Sequence, residues 1–291
     1  MKTILTLLVV GCASAQIQQP QLGAMLTGDG RARAVFGVTG SVTIGDAPTE
    51  GVLSQGSAPS ILTMGCSRRM CLMKTDSELV SFPVSTAASP TGSMQVDAPA
   101  GPALFWFESS TAGQPALVYF PGSRQFMRWQ NGQLSPVDFD VTGEILSIGE
   151  APDGTLQFAV RNAAGTWIVR SGDVIVESLH GAEFTGPALL LHGGVLFATA
   201  DGLILRRPDQ SELVFKFGHV EAEGLTHGSI AASEQPPSGS EAPRLKQIAL
   251  SWLGENYVQV RVRGAAGDDS NYALRVDLGH ERLFLLPEPQ L

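Results

Sequence analysis

Residues 145–179, "ILSIGEAPDGTLQFAVRNAAGTWIVRSGDVIVESL", break into four short apolar runs at 145–149, 155–161, 166–170 and 174–179. Turn chemistry separates them: Asp153-Gly154, Asn162-Ala163-Ala164-Gly165 and Ser171-Gly172-Asp173. Leu156, Phe158 and Val160 alternate with Gln157 and Ala159, the period-two pattern of a strand. The same plan returns at 248–286, where Val258, Val260 and Val262 alternate with Gln259, Arg261 and Arg263. There too an "AAG" turn follows the second run. Segments 102–139 and 187–217 share the outline, and a looser unit spans 60–98. The chain thus holds five units of roughly 40 residues, each reading as a four-stranded antiparallel meander. No stretch longer than ten residues carries a convincing helical period, so helix is expected to be nearly absent.

A repeat of this length built only of strands resembles a β-propeller over residues 60–288. One such unit cannot bury both faces of its sheet, whereas blades packed radially can. The WD and kelch signatures do not recur, so the resemblance is to the secreted bacterial type of the architecture and not to a functional family. The expectation is an all-β propeller of four-stranded antiparallel blades, six of them favoured and five or seven the alternatives. Strands within 31–45 and at 228–234, "GSIAASE", would supply the sixth. Two β-sandwiches are the competing fold.

The chain opens "MKTILTLLVVGCASAQ". Lys2, the apolar run 4–10 and the small residues Ala13-Ser14-Ala15 read as a signal peptide over residues 1–15. Lipidation at Cys12 of "VVGC" is the alternative processing, which would leave a lipid anchor. Residues 16–30 are expected to be a tether and 31–291 a single propeller domain, with 232–246 a Pro- and Ser-rich inserted loop. These features place the chain as secreted or periplasmic. No later run is long and apolar enough for a transmembrane helix. With 19 basic and 28 acidic residues the net charge is −9, which disfavours a nucleic-acid partner.

Cys66 and Cys71 flank "SRRM", with strand-like sequence on either side. Residues placed so can face each other across a hairpin, within disulfide reach. In an exported chain that loses Cys12 they are the remaining pair, and a structural disulfide is the expectation. Zinc would need further ligands nearby, and a redox pair favours C-x-x-C at a helix start.

The segment "GHVEAEGLTHG" gathers His219, Glu221, Glu223 and His227, donors suited to a divalent metal but equally at home on a solvated connection. Phe105, Trp106, Phe107, Trp129, Trp167 and Trp252 recur at similar places in the units, which points to packing between blades before a ligand groove. Nucleophile-elbow, dinucleotide and P-loop patterns are absent. The sequence therefore reads as an exported binding or scaffold module for a protein or carbohydrate ligand, with no required cofactor. The alternative is a propeller hydrolase or lyase acting on sugars or lactones with calcium, so enzymatic status stays open.

Overall fold

The computed structural model describes residues 21–27, 31–38, 41–45, 60–84, 93–108, 115–151, 153–179, 187–191, 194–199, 202–216, 221–222, 247–254, 257–263 and 271–285. Among them, five four-stranded blades follow one another along the chain. Blade 1 comprises β4 (Thr63–Cys66), β5 (Met70–Lys74), β6 (Glu78–Pro83) and β7 (Met94–Asp97). Blade 2 comprises β8 (Leu104–Phe107), β9 (Ala116–Phe120), β10 (Gln125–Gln130) and β11 (Gln133–Val137). Blade 3 comprises β12 (Glu144–Glu150), β13 (Leu156–Asn162), β14 (Gly165–Arg170) and β15 (Val174–Ser178). Blade 4 comprises β16 (Ala188–Leu191), β17 (Gly194–Ala198), β18 (Gly202–Arg206) and β19 (Glu212–Lys216). Blade 5 comprises β21 (Gln247–Gly254), β22 (Tyr257–Arg263), β23 (Asn271–Asp277) and β24 (Arg282–Leu285). Its outer strand is completed by the two-residue β20 (Glu221–Ala222), which pairs with it in parallel. The expected runs of residues 145–179 coincide with β12–β15 to within a residue or two.

The turns explain why each unit is a meander. Asn131-Gly132 joins β10 to β11 with φ of 51° and 77°, the backbone of a two-residue type I′ hairpin. Asp173 and Gln210 take left-handed φ of 53° and 65° in the last hairpins of blades 3 and 4.

The first strands β4, β8, β12, β16 and β21 stand next to one another around the centre, and β21 returns to meet β4. The favoured count of six blades is thereby corrected to five complete ones. Residues within 31–45 do form two strands, β2 (Ala32–Val38) and β3 (Ser41–Ile44). They pair with β1 (Gln21–Leu26), a strand inside the expected tether, and make a separate three-stranded sheet. The other strand expected for a sixth blade, 228–234, lies outside the described residues, as does 232–246.

This sheet is a wedge between the last blade and the first. Ala24, Leu26 and Ala32 pack on blade 1 beside Met64, Cys66, Cys71 and Met73. Met25 and Val35 pack on Leu253 of blade 5. Apolar clusters fill the remaining seams: Leu72 and Leu79 with Phe105 and Phe120 between blades 1 and 2, and Ala159 and Ile168 with Leu190 and Ile204 between blades 3 and 4. A larger cluster joins Phe126 and Phe158 across blades 2 and 3 and holds Leu203 of blade 4 and Val260 of blade 5. Burial from both sides is what an isolated meander lacks and what the ring supplies.

Cys66 and Cys71 are directly opposed in the β4–β5 ladder with Cα atoms 4.0 Å apart, and they form the expected disulfide. Among the described residues, no helix is long and apolar enough to cross a membrane.

Candidate functional site

At the centre of the ring lies a cavity of about 270 Å³. It sits toward the end at which the chain enters the first strands: residues 62–65, 103–105, 146–148 and 187–189 line it, with 248–252 opposite. Leu26, at the end of the wedge strand β1, completes the wall. The alternation of β-strands sets this lining. Side chains pointing sideways enter the seams, and those near the axis are left facing the cavity. Leu104, Leu146, Ile248 and Leu250 are accordingly half-buried, and Leu62 is 36% exposed.

Two polar wall residues hold the ring together. The Thr63 hydroxyl accepts a hydrogen bond from the Ala103 backbone N–H at 3.0 Å, tying blade 1 to blade 2. The Ser147 hydroxyl accepts one from the Leu190 N–H at 2.9 Å, tying blade 3 to blade 4. Two residues on from each is a glycine against the next blade. A Cβ on Gly65 would come within 3.2 Å of Phe105, and one on Gly149 within 2.4 Å of the Leu190 Cβ. The hydroxyl-x-glycine pair is thus a local sequence device for seating the next first strand.

The charged member of the described lining is Arg261, half-buried on β22. Its partners in the ladder are Ala249 on β21 and Ala273 on β23. Ala249 sets only a methyl group beside the guanidinium stem and is itself an exposed part of the cavity wall. Among the described lining residues there is no carboxylate and no imidazole.

Of the residues nominated from sequence, Phe105 and Trp252 line this cavity. His219, Glu223 and His227 lie outside the described residues. Glu221 falls in β20, opposite Phe284 of β24. Among the described residues no group of three or more His, Cys, Asp or Glu is placed to hold a metal ion. Trp129, Phe105 and Phe107 are buried in the seam between blades 1 and 2, whereas Trp106 of blade 2 and Trp252 of blade 5, which are not neighbouring blades, meet edge to face at 6.4 Å within the larger cluster that joins blades 2 to 5. Trp167 is half-buried and donates from Nε1 to Asn162 Oδ1 at 3.3 Å.

Sequence reasoning missed Leu62, Leu104, Leu146, Leu250 and Arg261, because each looks like ordinary strand sequence in its own unit. The recurring Thr63-x-Gly65 and Ser147-x-Gly149 were the available signal for the innermost strand.

No family model matches the chain, and no curated protein matches it by sequence. Solved structures resemble it in fold at low identity. A protein of unknown function from Bacteroides caccae is 10% identical, with 92% of this chain and 93% of that one covered and a TM-score of 0.49. Virginiamycin B lyase from Staphylococcus aureus is 8% identical over 95% of this chain and 86% of its own, with a TM-score of 0.42. YCF48 bound to D1 peptide is 11% identical over 92% and 82%, with a TM-score of 0.42. The architecture of this chain is that of a β-propeller, with five complete blades and a three-stranded wedge among the described residues.

Proposed function

We propose that the chain is an exported propeller that works as a binding module, taking an apolar group into its central cavity without transforming it. The observation that carries this reading is the lining: half-buried Leu104, Leu146, Ile248 and Leu250 around a cavity of about 270 Å³ that opens at Leu62 and Ala249. Apolar surface kept at a concave site and partly open to water is the usual character of a ligand pocket. Hydrolysis or elimination on a sugar or lactone needs a proton donor and acceptor, and the described lining favours uptake over such chemistry. The Cys66–Cys71 disulfide and the signal-like leader support an oxidising compartment outside the cytoplasm.

A calorimetric titration with 1-octanol tests it. One saturable site is expected in the full chain, and Ala249→Trp, which fills the cavity from an exposed position, should abolish binding without lowering the melting temperature. Unchanged binding in Ala249→Trp, or none in the parent chain, would overturn the proposal.

A further inference from the structure

We infer that β15, the outer strand of blade 3, is a docking edge that takes an extended basic segment of another protein as an added strand. The site is separate from the central cavity and does not depend on it. Val174, Ile175 and Val176 are 56%, 60% and 45% exposed. They make up half of the large apolar side chains exposed among the described residues, and they are consecutive. Apolar side chains exposed singly are ordinary, whereas a contiguous set marks an interaction surface. β15 is also terminal in its sheet, and among the described residues no strand pairs with its outer side. An edge of that kind offers a row of backbone donors and acceptors to an incoming strand.

The other outer strands show how this ring otherwise blunts its edges. β11 carries Pro136, which has no N–H to give. β19 carries Glu212 and Lys216 at its ends. β24 is already covered by β20. β7 carries Gln95 and Asp97 and lays Met94 against Gly132 of blade 2. In β15, Ile175 pairs with Val169 and Glu177 with Ile168, which leaves Val176 as the extra residue of a bulge. A bulge increases the local twist, which disfavours a flat joint between the edges of two rigid sheets. A flexible extended segment can follow that twist.

Charge selects the occupant. Asp173 precedes the strand, and its carboxylate is held by the Thr142 hydroxyl and N–H, not by a cation. Asp140 is exposed beside the same turn, where its carbonyl accepts from the Gly172 N–H. At the other end Glu177 and Glu212 share the single guanidinium of Arg206. Arg170, the ladder partner of Val174, is matched by Asp153. The apolar edge is thus framed by uncompensated negative charge, which fits a segment that alternates apolar residues with Lys or Arg. A second copy of this chain would bring the same acids and its own net charge of −9 to the joint.

The test titrates the full chain by calorimetry with an acetylated, amidated peptide alternating lysine and valine, about eight residues long so that it covers the five residues of β15. One saturable site is expected, and a peptide with glutamate in place of lysine should bind about tenfold or more weakly. Methylating alternate backbone nitrogens of the lysine peptide should abolish binding, because it removes donors while keeping the side chains. Ile175→Lys, at an exposed position, should abolish binding without lowering the melting temperature, and Ile175→Thr should weaken it. Met94→Lys on blade 1 and Ala249→Trp in the cavity should leave it unchanged. No binding of the lysine peptide, binding that survives Ile175→Lys, or equal binding of the glutamate or methylated peptide overturns the inference. Sedimentation of the chain alone should show a monomer. A dimer that Ile175→Lys dissociates would assign the edge to a second copy and overturn the basic partner.

Discussion

Two seams of the ring solve the same packing problem differently. Between blades 3 and 4, Ala159, Ile168, Leu190, Val195 and Phe197 interdigitate, Ser147 adds one hydrogen bond, and Arg206 closes the outer end on Glu177 and Glu212. Between the wedge and blade 5 the apolar contact is small, and the backbones themselves approach. A Cβ on Gly23 would stand 1.4 Å from the Leu253 carbonyl oxygen, and one on Gly254 would stand 2.1 Å from that of Leu22. Gln259, buried on β22, accepts from the Leu26 N–H at 3.1 Å and donates to the Leu26 carbonyl at 2.8 Å. Behind it the buried Arg275 lies between the rings of Tyr257 and Phe284, 4.8 Å from each. A seam between consecutive blades is held mainly by non-directional burial. The wedge seam joins the two ends of the chain and relies on directional bonds and glycine contacts, which fix one position and penalise others.

The sharpest way to break this contrast is Gly23→Ala. Its Cβ has no room against a backbone oxygen, so a loss of about 3 kcal/mol or more is expected, read as a drop in melting temperature of roughly 6–12 °C. A variant that melts like the parent would show that the wedge is not seated as described. Next comes a paired comparison. Gln259→Leu strips two buried backbone groups of their partners and should cost about 2–4 kcal/mol, whereas Ser147→Ala strips one and should cost about 1–2 kcal/mol. Equal losses would mean that the two seams are held alike.

The smallest effect separates seam from surface. The Asp173 carboxylate accepts from the Thr142 hydroxyl at 2.6 Å and the Thr142 N–H at 2.8 Å, bonds that hold its pKa below the usual carboxylate value. A carboxylate so lowered stabilises the fold at neutral pH, and its contribution fades as pH falls through the lowered value. The difference in melting temperature between the parent and Asp173→Asn should therefore be present at pH 7 and vanish in strong acid. A difference that persists there would assign the effect to the turn backbone and not to charge.

The repeat was legible because its strands are amphipathic in the simplest way. In 145–179 the alternation of Phe158 and Val160 with Ala159, together with the turn residues, located four strands. The wedge strand looks like a tether in sequence for a physical reason. In Gln21–Leu26, Ala24 and Leu26 face blade 1 while Met25 faces blade 5, so a six-residue strand buried on both sides shows no polar alternation. The disulfide was legible because Cys66 and Cys71 are neighbours across a single hairpin. The cavity was not, because Leu62, Leu104, Leu146 and Leu250 come from four different blades or their approaches, and nothing local distinguishes them from seam residues. Composition drew attention instead to the histidines and acids of 218–228.

The bond between Gln259 and Leu26 spans 233 residues of sequence. Synthesis at about 5–20 residues per second separates the appearance of its two ends by roughly 10–50 s. For that interval Met25 and Val35 have no blade 5 to cover them, although blade 1 follows soon after the wedge. The growing chain therefore holds one side of its first described sheet bare until blade 5 arrives, and mutations at Gly23 or Gln259 would prolong that exposure.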